Sequence, residues 1–254
     1  GVAFQQAQKW DQAEQHYREA ARLREQLGNL ADDFDTGRPR PDHDHHIGVG
    51  AGRLAIELAS RGHRSTGVDI SAGFLEAARR ISRERALEIE WRESDMRDLP
   101  WSSEFDAAYC AGSSFGYLGG EGDAAFLRAV SRTLRPGGRF FADFKAAESL
   151  LPSFRESYEM EVGDIRFAAR NRYDPPTGTM ESVYTASRTD RTETKRAVHR
   201  IYSVREILGM LRDAGFTEIE AFGSIAGAPY RLGSPALLVV ARKDFVSRRR
   251  VPPV

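Results

Sequence analysis

Gly48, Gly50 and Gly52 stand at alternate positions in IGVGAGR, and Asp69 closes the later run Thr66-Gly67-Val68-Asp69. Glycines so spaced let the backbone take positive φ and approach a ligand closely. A helical pattern follows them, with Leu54, Ile56, Leu58 and Ala59 on its apolar face and Arg61-Gly62 at its end. An acid at the tip of the next strand accepts from two ribose hydroxyls. Loop, helix, strand and acid in that order hold a nucleotide-like cofactor at the carboxyl edge of a parallel sheet.

Other side chains offer different chemistry. His199 is the best candidate base, because an unperturbed imidazole titrates near neutrality; a strand histidine with a structural hydrogen bond is the competing reading. Phe115 and Tyr117, in the loop GSSFGYL, are candidates for a substrate pocket and equally suited to packing. Arg170, Tyr173 and Tyr202 are candidate substrate residues further along. Arg166, Arg170, Arg172, Arg196 and Arg200 can hold a carboxylate or phosphate on a substrate, or form the solvated face of a ribbon. His43, His45 and His46 lie among aspartates in PDHDHH, dense enough to suggest a metal such as zinc. No second ligand cluster accompanies them, so no metal is expected and a polar linker is the reading.

The elements that must position these groups follow from periodicity. Residues 4 to about 30 repeat Trp10, Ala13, Tyr17, Ala20, Leu23 and Leu27 at helical spacing, and WDQAEQHYREAARL resembles half of a tetratricopeptide hairpin. A single half-repeat suits a helix covering the sheet or a substrate pocket better than a solenoid. Residues 32–46 are charged and proline-containing, a linker or degenerate first strand. From residue 47 to 144 strands and helices alternate: helix 71–86, a strand through Leu87, Ile89 and Trp91, strand 105–110, helix 124–134, a stop at Pro136-Gly137-Gly138 and strand 139–144. That alternation predicts a mostly parallel sheet with helices on both faces. Residues 158–170, 179–187 and 192–202 read as a small antiparallel ribbon, turning at Asp174–Gly178. Helix 204–214 and strands 216–223 and 237–241 complete the domain, and 244–254 is a basic tail.

Composition narrows the function. The chain has 254 residues, 41% hydrophobic and 29% charged, with 37 basic and 37 acidic side chains. Zero net charge argues against a dedicated nucleic-acid binder, which needs a basic surplus to meet phosphates. A lone Cys110 excludes a disulfide framework. No apolar run approaches the length of a membrane span, and the start has no signal-peptide core, so a cytoplasmic location is expected.

GVGAGRLAIELASRGHRSTGVDIS, ESDMRDLP, FDAAYCAGSSFGYL, FLRAVSRTLRPGGRFFADF and LRDAGF occur in this order. Together they resemble a class I S-adenosylmethionine-dependent methyltransferase over about residues 47–243. The resemblance implies a Rossmann-like sheet of seven strands, mostly parallel with the last antiparallel, with the ribbon of about 155–202 inserted. It implies S-adenosyl-L-methionine as cofactor. Gly48, Gly50 and Gly52 would line its methionine part, Asp69 its ribose, and Ile70 its adenine. Asp95 would accept from the adenine amino group beside Met96, and Ala111 and Gly112 would sit near the sulfonium.

The function expected is methyl transfer to an oxygen or nitrogen of a small molecule, with no nucleic-acid or membrane partner and an exposed ribbon edge that could pair two copies. A cofactor-binding protein without turnover, or a nucleic-acid methyltransferase, are the alternatives; no NPPY-like run follows strand 105–110. One stretch departs from the family. The acid expected two residues before the first glycine is His46, and no run of four apolar residues lies between Thr36 and Gly48. A central strand buried on both faces is normally apolar throughout. The first strand is therefore either very short and polar or replaced by a loop.

Overall fold

The computed structural model describes residues 44–50, 52–112, 114–162, 164–189 and 191–245. The tetratricopeptide-like segment, most of the linker and the basic tail lie outside the described residues. The chain begins at β1 (Asp44–Ile47), followed by α1 (Arg53–Ser60), β2 (Ser65–Asp69), α2 (Ala72–Glu84), β3 (Ile89–Glu93) and β4 (Phe105–Cys110). Then come α3 (Gly119–Thr133), β5 (Leu134–Phe144), a short α4 (Ala147–Leu150) and four strands, β6 (Ser157–Val162), β7 (Ile165–Asp174), β8 (Thr179–Arg188) and β9 (Arg191–Arg200). The chain closes with α5 (Val204–Asp213), β10 (Phe216–Phe222) and β11 (Leu237–Lys243).

Seven strands form one sheet in the order β3-β2-β1-β4-β5-β11-β10. β1 pairs in parallel with β2 and with β4, and β11 runs antiparallel to both β5 and β10. This is the Rossmann-like sheet expected. Its winding reverses between β1 and β4, which opens a crevice at their carboxyl ends. The first strand is thus short and polar, not a loop. Backbone pairing on both sides holds DHHI in a central position that its side chains alone would not predict, and only the last of the four, Ile47, is an apolar side chain, fully buried.

Aromatic burial fixes the frame beneath the crevice. Phe126 on α3, Phe140 and Phe144 on β5, and Phe216 on β10 are at most 2% exposed in one cluster with Ile207 and Leu211 of α5. Burying each such side chain is worth about 1.5–3 kcal/mol. On the opposite face the Trp91 ring lies over Gly67 and Gly52 and donates through Nε1 to Ser82 of α2 at 3.1 Å. α5 starts with a capping box, Ser203 and Glu206 exchanging bonds with each other's backbone N–H.

The ribbon has four strands in the order β6-β7-β8-β9, all antiparallel. The stretch 158–170, read above as one strand, is two. Residues directly opposite each other share a face. Tyr173, Met180 and His199 therefore lie on one face, while Arg170, opposite Val183 and Ser157, lies on the other.

Candidate active site

The glycine loop leaves β1 with the Gly48 and Val49 amides on the Val68 carbonyl, at 2.8 and 3.1 Å. Gly48, Gly50 and Gly52 all have positive φ, 68°, 54° and 78°. The Gly50 N–H donates to Asp69 Oδ2 at 2.8 Å, and the Ser71 N–H donates to Oδ1 at 2.9 Å. The carboxylate at the tip of β2 is thus locked to the loop by two backbone donors. Each oxygen keeps a further lone pair for an incoming hydroxyl. Beside it Ile70 is 70% exposed, an apolar side chain presented at a strand tip.

A Cβ on Gly48 would stand 3.1 Å from Ser114 Oγ, so this glycine lets the loop after β4 close over the loop after β1. Gly52 has another duty. A Cβ there would fall 2.4 Å from the Trp91 ring, so its smoothness serves packing of α1 against β3.

The Ser94 N–H donates to the Asp69 carbonyl at 3.1 Å, which brings Asp95 to the same edge. Arg97 grips Asp95 in a fork, Nε to Oδ1 at 2.9 Å and Nη2 to Oδ2 at 2.6 Å, and holds its carboxyl below the usual range. Met96 is half-buried against the core and close to Gly48. Ala111 is half-buried, and Gly112 (φ 104°) donates its N–H to Asp143 Oδ1 at 2.7 Å. Asp143, near the end of β5, is a residue that sequence reasoning missed. An acid next to the last residue of a strongly apolar strand was the available signal.

Beyond Gly112 the loop meets the ribbon. The Arg200 N–H donates to the Gly116 carbonyl at 2.7 Å, and the Ala147 N–H donates to the Tyr202 carbonyl at 2.8 Å. The segments 112–118, 144–147 and 199–202 are therefore tied into one frame. Tyr117 stacks on His199 with ring centroids 4.9 Å apart and planes 27° from parallel. His199 is 5% exposed and its Nδ1 has no hydrogen-bond partner among the described residues. Burial, and then the charge of Lys145, lower its pKa to about 4. Tyr117 stays 44% exposed, yet burial of its hydroxyl pushes the phenol above its ordinary value.

Three other candidates are placed differently from expectation. Phe115 is 7% exposed and packs on Phe144 at 5.0 Å and Tyr202 at 5.3 Å, so it is a core side chain and not a pocket wall. Tyr202 is 4% exposed and donates to Asp123 Oδ2 at 2.8 Å. Arg170 points away from His199 with the charged face of the ribbon, where Arg172 and Arg196 both pair with Glu181. Tyr173 shares the face of His199 and is half-buried.

Two consequences are measurable. Gly116 has φ 99°, and a Cβ there would lie 2.5 Å from the Arg200 carbonyl oxygen. Gly116→Ala should cost about 2 kcal/mol, read as a lowered urea midpoint with unchanged slope. His199 titrates lower in the folded chain than in the unfolded one, so its contribution to stability is complete above about pH 6.5 and is lost as pH falls towards 4. Against a His199→Phe variant, the wild type should lose about 2–3 kcal/mol between pH 7 and 4.5. Parallel urea curves for both proteins at both pH values check this, and equal losses would contradict it.

Residues 46–138 match the family described as methyltransferase domain. The chain is 29% identical over 211 residues to a cypemycin N-terminal methyltransferase from a Streptomyces species, covering 78% of this chain and 82% of that protein. An S-adenosylmethionine-dependent methyltransferase from Clostridium acetobutylicum has the same fold, with a TM-score of 0.78 at 14% identity, covering 92% of this chain and 99% of that one. An S-adenosylmethionine-bound amino pentose methyltransferase from Micromonospora echinaspora gives a TM-score of 0.64 at 20% identity over 89% and 96%. These likenesses support a class I S-adenosylmethionine-dependent methyltransferase. The chain is an enzyme with S-adenosylmethionine as its cofactor. No helix among the described residues is long and apolar enough to cross a membrane.

Proposed function

We propose that the methyl group passes to an oxygen or nitrogen of a small-molecule acceptor at the carboxyl ends of β4 and β5. One observation carries the location. After β4, Ser114 lies beside Gly48 and Tyr117 stacks on His199, so one connection reaches both the glycine loop and the ribbon. The similar proteins reported above, an N-terminal and an amino pentose methyltransferase, support an acceptor of this kind.

Gly48 and Gly50 would line the methionine part of the cofactor, Asp69 would take the ribose hydroxyls, and Ile70 and Met96 would flank the adenine. Asp95 would accept from the adenine amino group through lone pairs that Arg97 leaves open. Ala111 and Gly112 would stand near the sulfonium. The donor set fits: a fixed carboxylate, a close backbone approach and an apolar tip. Bound S-adenosylmethionine supplies a methyl carbon activated by a positively charged sulfur.

The chain's own part is mostly positioning. Ala111 and Gly112 would hold the sulfonium end so that the acceptor's lone pair could take the methyl group the bound cofactor would supply. The proton the acceptor sheds goes to His199, which is neutral at pH 7 and therefore open to it. Tyr117 walls the acceptor over that imidazole, and Tyr173 lies on the same ribbon face. This assignment spans one methyltransferase domain, about 47–243, in a cytoplasmic protein whose ribbon edge at β6 can pair two copies.

Calorimetric titration with S-adenosylmethionine tests the cofactor half, and release of S-adenosylhomocysteine over a metabolite panel tests the acceptor half. No binding would sink the reading. Binding without turnover of any acceptor would favour the non-catalytic alternative, which the replacement of an acid by His46 makes worth separating.

A further inference from the structure

We propose that the methyl acceptor is a small organic acid, whose anionic group pairs with the Lys145 ammonium while its reacting N–H or O–H donates to Nδ1 of His199. The inference rests on the methyltransferase assignment and adds the acceptor's chemical class.

The geometry comes first. Lys145 follows the last residue of β5 and is exposed. It stands two positions past Asp143, which holds Gly112, and two before Ala147, which is bonded to Tyr202. Lys145 thus sits in the frame that also carries Tyr117 and His199. Its charge bears on the imidazole. Among the described residues it has no carboxylate partner.

Several other charges around this edge and on the ribbon already have partners. Asp143 accepts from the Gly112 N–H, and Asp123 accepts from the Gly116 and Leu118 amides and the Tyr202 hydroxyl. The Arg200 guanidinium lies 5.2 Å over the Tyr202 ring. Of the ribbon arginines, Arg166 pairs with Glu159, and Arg172 and Arg196 pair with Glu181 on the far face. Lys145 therefore offers a positive charge without a carboxylate among the described residues, which attracts an anion and repels an ammonium.

His199 supplies the second contact. It is a polar side chain 5% exposed whose Nδ1 lacks a partner among the described residues. Buried polar atoms in native folds are satisfied, so a vacant one in the frame that joins the loop after β4 to the ribbon calls for a ligand atom. With the ring proton on Nε2, Nδ1 accepts. The two contacts act together. Burial is the larger cause of the low His199 pKa and Lys145 the smaller; a carboxylate on Lys145 offsets the second, so the acid raises in part the basicity of the group that takes its proton. An uncharged analogue leaves Lys145 unopposed and the imidazole the weaker base.

The test uses the full chain with S-adenosylmethionine. A panel of amino, hydroxy and phenolic carboxylic acids is assayed, each beside its carboxamide, by S-adenosylhomocysteine release. Turnover should be confined to acids, with amides at least about ten-fold slower. Lys145→Met should lower kcat/KM for the acids by about thirty-fold or more, Lys145→Arg should restore most of it, and S-adenosylmethionine affinity should be unchanged in both. NMR titration of the His199 ring should show its pKa rising when an acid binds, but not with the amide and not in Lys145→Met. Equal turnover of amides, an indifferent Lys145→Met, or no acid that either turns over or shifts His199 in the cofactor-bound protein would overturn the proposal. Failure to bind S-adenosylmethionine would instead count against the methyltransferase assignment beneath it.

Discussion

Asp69→Ala should weaken S-adenosylmethionine binding by on the order of a hundred-fold while leaving the chain folded. The side chain stands at the tip of β2, its two oxygens fixed by the Gly50 and Ser71 amides at 2.8 and 2.9 Å. A carboxylate already oriented needs no reorganisation to receive a pair of ribose hydroxyls. Hydrogen bonds to a charged group are worth about 1.5–3 kcal/mol each. Two of them, lost together, amount to about 3 kcal/mol, or roughly 150-fold in affinity. The substitution also releases Gly50, whose φ of 54° belongs to a loop that Asp69 holds closed. Asp69→Asn should not rescue much, because its amide nitrogen would face one of the two backbone donors. Calorimetry with the cofactor reads the loss, and a thermal melt reads the fold. Affinity within about threefold of wild type would remove Asp69 from the cofactor site.

Asp69 was legible in the sequence because its position depends on local spacing: loop, helix, strand, acid. The same locality explains the correct order of β2 to β5, while the antiparallel ending at β11 came from the family resemblance. What escaped depends on partners far along the chain. β1 breaks the rule that central strands are apolar, since Asp44 to His46 are placed by pairing with β2 and β4. Phe115 and Tyr202 have the composition of pocket walls, but the packing of β5 and α3 draws them inward, 5.3 Å from each other. The division of β6 from β7 rests on a short turn at Asp164, a weak signal inside a long run of strand-forming residues. Arg170 was a reasonable anion site until the register assigned it to the outer face. One residue of slip decides that, because strand side chains alternate. Lys145, with no pattern around it, becomes visible only when β5 and the ribbon are brought to one edge.

Asp123→Ala should destabilise the chain by about 3–5 kcal/mol, the largest single loss expected at this site. Asp123 is fully buried on α3, and no motif marks it. Its Oδ1 accepts from the Gly116 N–H at 3.0 Å and the Leu118 N–H at 3.4 Å, and its Oδ2 accepts from Tyr202 at 2.8 Å. It therefore joins the loop after β4 to the exit of the ribbon. Alanine would strand three buried donors, each costing about 1–3 kcal/mol when left without an acceptor. Asp123→Asn is the informative companion. Its oxygen can take the two amides and its nitrogen can donate to the Tyr202 oxygen. Burial holds the Asp123 carboxyl above its usual range despite those donors, so ionising it opposes folding, a penalty that asparagine does not carry. The asparagine variant should thus lie within about 1 kcal/mol of wild type in urea unfolding, with alanine far below it. A cycle with Tyr202→Phe should give a coupling of about 1–3 kcal/mol between the two positions. If alanine and asparagine were equally stable, Asp123 would be a passenger in the core, and some other contact would have to hold Tyr117 over His199.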